Sequence, residues 1–451
     1  MSKLQLINPP IDCLYSKSLR TGVYPPLNIA VLAGYIKKHL PETKIELLDG
    51  EIQNKDNIIN SINAEYIGIS CNILTYNTAL EIAKHAKAKG SYVFLGGPYP
   101  TVLAKEILKN NSFIDSVIVG DGEGAILQIL KGERQDYISN LCYRNKNEII
   151  QNPINQSDIN ESVIPDYANL PLEKYFSNFR NRYGHYKPFH ASLPIYSIKG
   201  CKWRNTKKGG CVFCMIPHNG FRIKNKSNLI NEIIYFNELY GVDSFWEVSD
   251  SFLDNFEFVE ELIKLKRENI KTNFHIYGRA SQLLDKEKVR LLKEANIFEV
   301  FVGAESGDND ILNNINKGST IEQTLKAIKN LKDVGIKTTV SFVLGLPGET
   351  QKSLDTTLKF AEKISNFNNV FETSTSIMLP IPGSKAFELL KQKAVIIPSD
   401  KYDIEILKHE WIKHFTSIDF EILHIYLDEL TSLFALNNSF AQPETLTAPY
   451  C

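Results

Sequence analysis

Short apolar runs alternate with amphipathic stretches along most of the chain, and the alternation restarts once. Between residues 3 and 130 the runs are LQLINPP (4–10), KIELLDG (44–50), YIGISCN (66–72), YVFLGG (92–97) and SVIVGDGEG (116–124). Each is short and closed by Gly, Pro or Asn, the pattern expected of strands buried on both faces. Helix-length stretches separate them, such as 75–89, where Ala79, Ile82, Ala83 and Ala86 fall on one face. β/α units in series predict an α/β fold with a doubly wound, Rossmann-like parallel sheet over 1–150.

LCYRNKNEII (141–150) reads as a hairpin around 145–147. Residues 151–192, rich in Asn, Pro and aromatics without a period, read as an ordered linker. From 194 the runs PIYSIKG, VDSFWEV, KTNFHIY, FEVFVGA, KTTVSFVLG and VFETSTSIM alternate with helical patterns near 227–240, 255–268, 285–295, 320–334 and 351–364. That is too few strands for a closed eight-stranded barrel, so 193–385 is expected to form a six-stranded partial β/α barrel. Chemistry on such a scaffold sits where strands end, which directs attention to Cys201, Ser249, Asp250, Arg279, Glu305 and Gly345. Residues 386–451 are expected as a helical cap, with amphipathic patterns at 400–415 and 419–436 and a tail ending AQPETLTAPYC. Trp411, His409, His414 and Tyr426 in those helices either cap the barrel mouth and select substrate or serve as plain packing, the reading favoured here.

Charge changes the picture mainly by exclusion. Lys+Arg number 51 and Asp+Glu 52, a net charge of −1, so no global field holds nucleic acid or an anionic membrane. No long uninterrupted apolar stretch and no signal-peptide pattern occur, and a cytoplasmic location is expected. The seven cysteines (13, 71, 142, 201, 211, 214, 451) are an odd number, and three of them are crowded together. That pattern points to a metal site rather than a disulfide framework.

The crowded three lie in CKWRNTKKGGCVFC: Cys201, nine residues, Cys211, two residues, Cys214. They follow the first barrel strand, so the thiolates project from its C-terminal end. Three cysteines can hold three corners of a 4Fe–4S cluster and leave one iron open to a chelating substrate. The alternative is zinc, with His218 completing a Cys3His site. Two further strands end in small residues: Gly303-Ala304-Glu305-Ser306-Gly307, and Gly345-Leu346-Pro347-Gly348-Glu349. Small residues let backbone approach a bound ring, and Glu305 and Ser306 can hydrogen-bond ribose hydroxyls or an amino group. Arg279 can pair with a carboxylate in two parallel hydrogen bonds. The alternatives are a plain turn at Gly345 and Gly348, and surface roles for Arg279 and Glu305.

With Phe213 before the last Cys, EVSDSF (247–252), GAESG, INKGST and GLPGET, residues 194–380 resemble the radical S-adenosylmethionine (SAM) core. The nine-residue span between Cys201 and Cys211 is longer than the family's usual spacing. The N-terminal half resembles the cobalamin-binding domain of one large subgroup of those enzymes. The matching residues are INPP (7–10), YPPLNIAVLAGYI (24–36), GIS with Ser70, LGGPYPT (95–101) and VGDGEG (119–124). The alternative there is a bare flavodoxin-like sheet with ordinary turn glycines. The resemblance implies cluster ligation by Cys201, Cys211 and Cys214. It implies SAM contacts from Phe213, Asp250, Arg279, Glu305, Ser306, Gly345, Leu346 and Pro347, and cobalamin contacts from Ser70, Asn72, Gly96, Gly97, Pro98, Gly120, Gly122 and Glu123.

No Asp-x-His-x-x-Gly stretch occurs to ligate cobalt from below, and His85 reads as a helix histidine. Cys13 and Cys71 are read as small buried hydrophobes, Cys142 as structural and Cys451 as a terminal thiol. The activity implied is a cobalamin-dependent radical SAM C-methyltransferase. It would take a small-molecule or peptide substrate, an external one-electron reductant and no nucleic acid. Two alternatives stand beside it: a cobalamin-dependent rearrangement or ring-forming oxidation without methylation, and a zinc-stabilised cobalamin or SAM sensor. Methylthiolation of RNA fits less well, because no second set of clustered cysteines lies upstream.

Overall fold

The computed structural model describes residues 2–11, 22–161, 163–184, 187–216, 220–393 and 399–435. The chain forms two units, one built from Met1–Pro188 with Ile397–Tyr402, the other from Phe189–Ile396 with the residues from Asp403 to Tyr450.

Unit 1 contains β1 (Lys3–Asn8), α1 (Leu27–His39), β2 (Lys44–Asp49), α2 (Lys55–Ser61), β3 (Tyr66–Ser70), α3 (Tyr76–Ala88), β4 (Tyr92–Gly96), α4 (Pro98–Asn110), β5 (Ser116–Ile118), α5 (Glu123–Leu130), β6 (Leu141–Asn145), β7 (Glu148–Gln151) and α6 (Leu172–Tyr183). Its sheet runs β2-β1-β3-β4-β5-β6-β7. The first five strands are parallel, as the unbroken apolar runs predicted. The predicted hairpin forms and does more than turn: β6 pairs antiparallel with β5, so it widens the sheet. The order of the parallel strands is the flavodoxin-like form of the doubly wound plan, with the reversal between β1 and β3.

Residues 163–188 pack as part of unit 1. Gly34 of α1 shows how closely: a side chain there would meet Ile164 O at 2.2 Å. Tyr175 of α6 donates to Asp49 Oδ2 at 2.5 Å, and Asn8 Nδ2 reaches the other carboxylate oxygen at 2.8 Å. Burial pushes the Asp49 carboxyl above its ordinary range, against those hydrogen bonds.

A second, distant segment also belongs here. Asp400 accepts from Tyr76 Oη and Asn111 Nδ2 on one oxygen, both at 2.8 Å, and from Asn110 Nδ2 on the other at 2.6 Å. Its own carbonyl accepts from Tyr99 Oη at 3.0 Å. Ser399–Tyr402 is thus stitched across α3 and α4.

Unit 2 contains β8 (Ser192–Ile195), β9 (Ile198–Lys199), β10 (Arg222–Ile223), α7 (Lys226–Tyr240), β11 (Ser244–Glu247), α8 (Glu257–Arg267), β12 (Asn273–Gly278), α9 (Lys286–Glu294), β13 (Ile297–Glu305), α10 (Asn309–Asn314), α11 (Ile321–Asp333), β14 (Lys337–Leu344), α12 (Gln351–Ser365), β15 (Val370–Ile377), α13 (Lys385–Lys393), α14 (Ile404–Phe415) and α15 (Phe420–Ala435). Six parallel strands pair in the order β15-β14-β13-β12-β11-β8, the sheet expected of an open β/α barrel.

Near the strand starts a polar chain crosses the sheet. Ser244 Oγ lies 3.0 Å from His275 Nε2, His275 Nδ1 lies 2.9 Å from Glu299, and Thr339 Oγ1 donates to Glu299 at 2.5 Å. The spacing is that of a Ser–His–acid relay, yet Ser244 is fully buried. These groups satisfy one another inside the sheet, as buried polar groups must.

Asp400→Ala removes the acceptor from Tyr76, Asn110 and Asn111 together. It is expected to cost about 2–3 kcal/mol of stability, because buried donors are left unpaired. Denaturant unfolding of the full chain, followed in unit 1, measures it.

Candidate functional site

The three clustered cysteines sit on a loop closed at its base. β9 and β10 pair antiparallel, Arg222 opposite Lys199, so residues 200–221 leave and return at one point. Lys224, just past the closure, is buried against Glu232 of α7 at 2.8 Å. Beneath the entry, Glu247 accepts from Ser197 N at 2.8 Å, from Ser197 Oγ at 2.7 Å and from Ser249 Oγ. Burial pushes the Glu247 carboxyl up to about 7, with the Ser249 and Ser197 bonds pulling the other way.

Two aspartates hold the first cysteine from either side. Asp250 Oδ2 accepts from Gly200 N at 2.6 Å, and Asp254 Oδ2 accepts from Lys202 N at 3.0 Å. Asp250, expected to contact SAM, is therefore seen anchoring the cluster loop. Asp254 was missed; a second carboxylate four residues after Asp250 in DSFLDN was its only sign.

The nine-residue span folds against residues 315–318. Trp203 Nε1 donates to Asn316 O at 2.8 Å, and Asn316 Nδ2 donates to Gly210 O at 2.6 Å. Arg204 donates to Cys214 O at 3.1 Å. All three thiols are half-buried. Burial raises the Cys211 thiol, opposed by the Lys317 and Arg279 cations, and pushes the Cys214 thiol up to about 12. Binding a metal would displace the proton from each of these thiols.

The rest of the rim comes from neighbouring strand ends. Glu305 closes β13 in a left-handed conformation (φ 62°), rare for a residue with a side chain. Its carboxylate meets Lys317 Nζ at 2.6 Å and Ser341 Oγ at 3.2 Å. Burial alone would lower the Lys317 ammonium; Glu305 outweighs it and holds Lys317 above its ordinary value. Gly303 has to be small, because a side chain there would strike Glu305 Oε1 at 2.3 Å.

Arg279 gives one guanidinium nitrogen to Asp254 at 3.1 Å, while its Nε is buried without a partner. That orphaned donor fits an incoming carboxylate.

Two parts of the expected set have hydrogen-bonding groups employed within the fold. Ser306 is buried, with its hydroxyl 3.2 Å from Thr357 Oγ1 and accepting from Asp308 N at 3.1 Å, so it closes its own loop. At Gly345 and Leu346 both N–H groups are taken by Glu349 Oε2. Gly345 O accepts from Trp411 Nε1 at 2.8 Å, and a side chain at Gly345 would meet Ile412 at 2.3 Å. This turn, Pro347 included, offers shape rather than free hydrogen-bonding groups. Phe213 lies between the two cysteines of the loop's end, half-buried.

The residues fit an iron–sulfur cluster. Cys201, Cys211 and Cys214 lie within electrostatic reach of one another. Among the described residues, however, no three Cys, His, Asp or Glu side chains converge on one ion-sized point. A cubane would take each of the three thiolates on a different iron. A cavity of about 190 Å3 beside Cys211 and Cys214 is lined also by Arg204 and Lys385 and by no acid, which suits an anionic group. His218, the fourth ligand of the zinc reading, lies outside the described residues, as do Cys13 and Cys451.

In unit 1 the residues expected at cobalamin cluster at the ends of β3, β4 and β5. Gly97 (φ 98°) approaches so closely that a side chain would lie 2.6 Å from Cys71 O and 3.1 Å from Ser70 Oγ. Ser70 Oγ accepts from Asn28 Nδ2 at 2.8 Å. Gly96 is the opposite case: a Cβ there would meet nothing nearer than Ile118 at 4.0 Å. A glycine with room to spare leaves a cradle that a flat ligand can enter.

Pro98 opens α4. Gly120 N donates to Thr101 Oγ1 at 3.0 Å, and Gly122 faces Leu32. Two side chains of the set are turned to internal work. Asn72 Oδ1 accepts from Leu74 N at 2.9 Å, closing an Asx turn, and Glu123 accepts from Ser157 Oγ at 3.1 Å. Cys71 and Cys142 are buried, and burial raises both thiols.

Comparison with known proteins agrees with this layout. Residues 195–361 match the radical SAM superfamily and residues 19–130 the B12 binding domain. An uncharacterized methyltransferase of Pyrococcus horikoshii is 26% identical over 92% of this chain and 89% of its own. An anaerobic magnesium-protoporphyrin IX monomethyl ester cyclase of Rubrivivax gelatinosus is 26% identical over 85% of this chain and 69% of its own. The structure of the radical SAM methyltransferase TsrM from Kitasatospora setae, with cobalamin and a 4Fe–4S cluster bound, superposes with a TM-score of 0.70 at 14% identity, over 96% of this chain and 91% of its own.

Two measurements check the site. Gly96→Val has room for its Cβ, so the fold and the cysteine loop should persist while hydroxocobalamin affinity falls by about tenfold or more, as expected when a side chain fills a ligand cradle. The second concerns Glu349, whose carboxyl burial pushes up to about 8, and Glu247, at about 7. Both values lie above the unfolded one, so the folded chain keeps protons that the unfolded chain releases. Their contribution is full at acid pH and lost as pH rises through 7 to 8. Urea midpoints at pH 6 and pH 8.5 should therefore differ less in Glu349→Gln than in the parent protein.

Proposed function

This chain is a cobalamin-dependent radical SAM enzyme, and from that premise we propose that it methylates an unactivated carbon of a small-molecule or peptide substrate. The observation that carries the reading is the presence, in one chain, of a three-thiol loop on the rim of unit 2 and an open glycine cradle in unit 1. When bound, the cofactors supply the chemistry: one-electron cleavage of SAM to a 5′-deoxyadenosyl radical, and a methyl group carried as methylcobalamin.

The protein's part is to bind and orient. Cys201, Cys211 and Cys214 hold the cluster by three corners, and Asp250 and Asp254 fix the first of them through backbone N–H groups. Arg279 offers its orphaned Nε to the carboxylate of SAM, with Asp254 keeping the guanidinium in place. Glu305, already aligned by Lys317 and Ser341, has lone pairs left to accept from the amino group or a ribose hydroxyl. Around cobalamin, Gly96 and Gly97 admit the ligand to the backbone and Ser70 offers a hydroxyl. An external one-electron reductant is required. No helix among the described residues is long and apolar enough to cross a membrane, which accords with the cytoplasmic placement we favour.

A ring-forming oxidation without methylation is the second reading, favoured by the similarity to a protein named as a cyclase.

Anaerobically purified protein, reconstituted with iron, sulfide and hydroxocobalamin, is expected to hold about four irons and one cobalt per chain. With SAM, reductant and substrate, it should form both 5′-deoxyadenosine and S-adenosylhomocysteine, and the product should gain one methyl. Deoxyadenosine without the homocysteine moves the assignment to the second reading. Zinc in place of iron rejects both.

A further inference from the structure

Five consecutive residues at the end of α10, Asn314–Gly318, reach three parts of the unit 2 rim. Asn314 Nδ2 donates to Pro347 O at 3.0 Å. Ile315 O accepts from Val212 N at 2.9 Å. Asn316 O accepts from Trp203 Nε1 at 2.8 Å, and Asn316 Nδ2 donates to Lys208 O at 2.9 Å and Gly210 O at 2.6 Å. Lys317 holds Glu305 at 2.6 Å. Gly318 lies against the indole of Trp203, where a Cβ would come within 2.5 Å of the ring.

The turn is compact because Asn316 (φ 54°) and Gly318 (φ 73°) are both left-handed, a conformation that Asn and Gly tolerate best. Apart from that of Asn314 with the turn at Pro347, the contacts divide into two groups. Those of Ile315, Asn316 and Gly318 fall on Trp203, Lys208, Gly210 and Val212, which lie along the long span and on both sides of Cys211. The contact of Lys317 falls on the carboxylate at the end of β13. A span of nine residues has too many conformations to place a ligand cysteine by itself, so an external template is needed.

We infer that Asn314–Gly318 is the positioning hub of the site: Asn316 sets the long Cys201–Cys211 span, and with it the Cys211 sulfur, while Lys317 sets the Glu305 carboxylate for SAM. The inference deepens the cluster-and-SAM reading of this rim and rests on it. Lys317 and Asn316 act through Glu305 and Cys211 and touch no reacting atom. The hub explains how this chain carries an enlarged cysteine loop: the added residues are clamped by main-chain hydrogen bonds, which do not depend on the identity of Lys207 or Lys208.

The test uses the full chain, reconstituted anaerobically as wild type, Asn316→Ala, Lys317→Met, Lys317→Arg and the double variant Glu305→Gln/Lys317→Met. The readouts are iron per chain, thermal midpoint, and the change in the electron paramagnetic resonance spectrum of the reduced cluster on titration with SAM. Asn316→Ala should retain at most roughly half the wild-type iron, and Lys317→Met should keep its iron but need about tenfold more SAM for the same spectral change, the scale on which outer partners of a metal site act. Lys317→Arg should recover part of that loss. The double variant leaves no unpaired buried charge, so it should fold even if Lys317→Met does not, and should still bind SAM weakly.

Full iron in Asn316→Ala overturns the clamp, and a wild-type SAM titration in the folded Lys317 variants overturns the carboxylate setting. Loss of iron, SAM response and thermal midpoint together in every variant overturns the hub in favour of a plain folding role. A wild-type chain that takes up no cluster fails the parent reading as well, and is recognised before any variant is made.

Discussion

The parallel ladder of unit 2 is the constraint from which its chemistry follows. Six strands running the same way deliver every β-to-α connection to one rim, so residues far apart in sequence arrive together there. Cys201, Asp250, Arg279, Glu305 and Gly345 all stand just past or at the ends of strands on that rim. What the ladder does not supply is the orientation of each side chain. That comes from short polar contacts, several of them buried: Glu247 under the entry to the cysteine loop, Asp254 beneath Arg279, and Lys317 on Glu305. Each contact is inexpensive only while all its members are paired, so the rim is built as satisfied sets rather than single residues.

The sequence conveyed the scaffold well, because strand and helix periods are local properties of the chain. The last five barrel strands and the five predicted helices lie within about two residues of where the sequence pattern put them, whereas the first strand ends at Ile195, short of the end of the run PIYSIKG, and α10 was not foreseen. The three ligand cysteines were legible because their residue type has few other uses in such a crowd. Side-chain employment was much less so. The sequence does not show that Asp250 holds Gly200 N or that Ser306 meets Thr357. Those partners lie about fifty residues away, and no local pattern announces them. Gly345 shows the limit most plainly: a glycine at a strand end signals a close approach, but only the packed helix α14 reveals that Ile412 and Trp411 are what approaches.

The two units also differ in how they use glycine. At Gly97 the absence of a side chain is forced by neighbouring backbone atoms, and at Gly303 a side chain would displace the ends of Glu305 and Lys317 from their ion pair. At Gly96 nothing nearby forbids a side chain, so the empty volume itself is the retained property. The first kind of glycine is explained by the fold alone. The second is not dictated by packing, and it sits at the end of β4, beside the switch-point rim where doubly wound sheets bind their ligands.

Ser399–Tyr402 ties the boundary of unit 1 to a distant part of the chain. The polypeptide enters unit 1, leaves it at Pro188, and comes back for a few residues before α14. A fragment ending at Pro188 would carry Tyr76, Asn110 and Asn111 facing an empty socket where Asp400 belongs. Exchanging unit 1 at a single joint after Pro188 therefore leaves buried donors without their acceptor, and a graft that carries the matching tetrapeptide along avoids that loss.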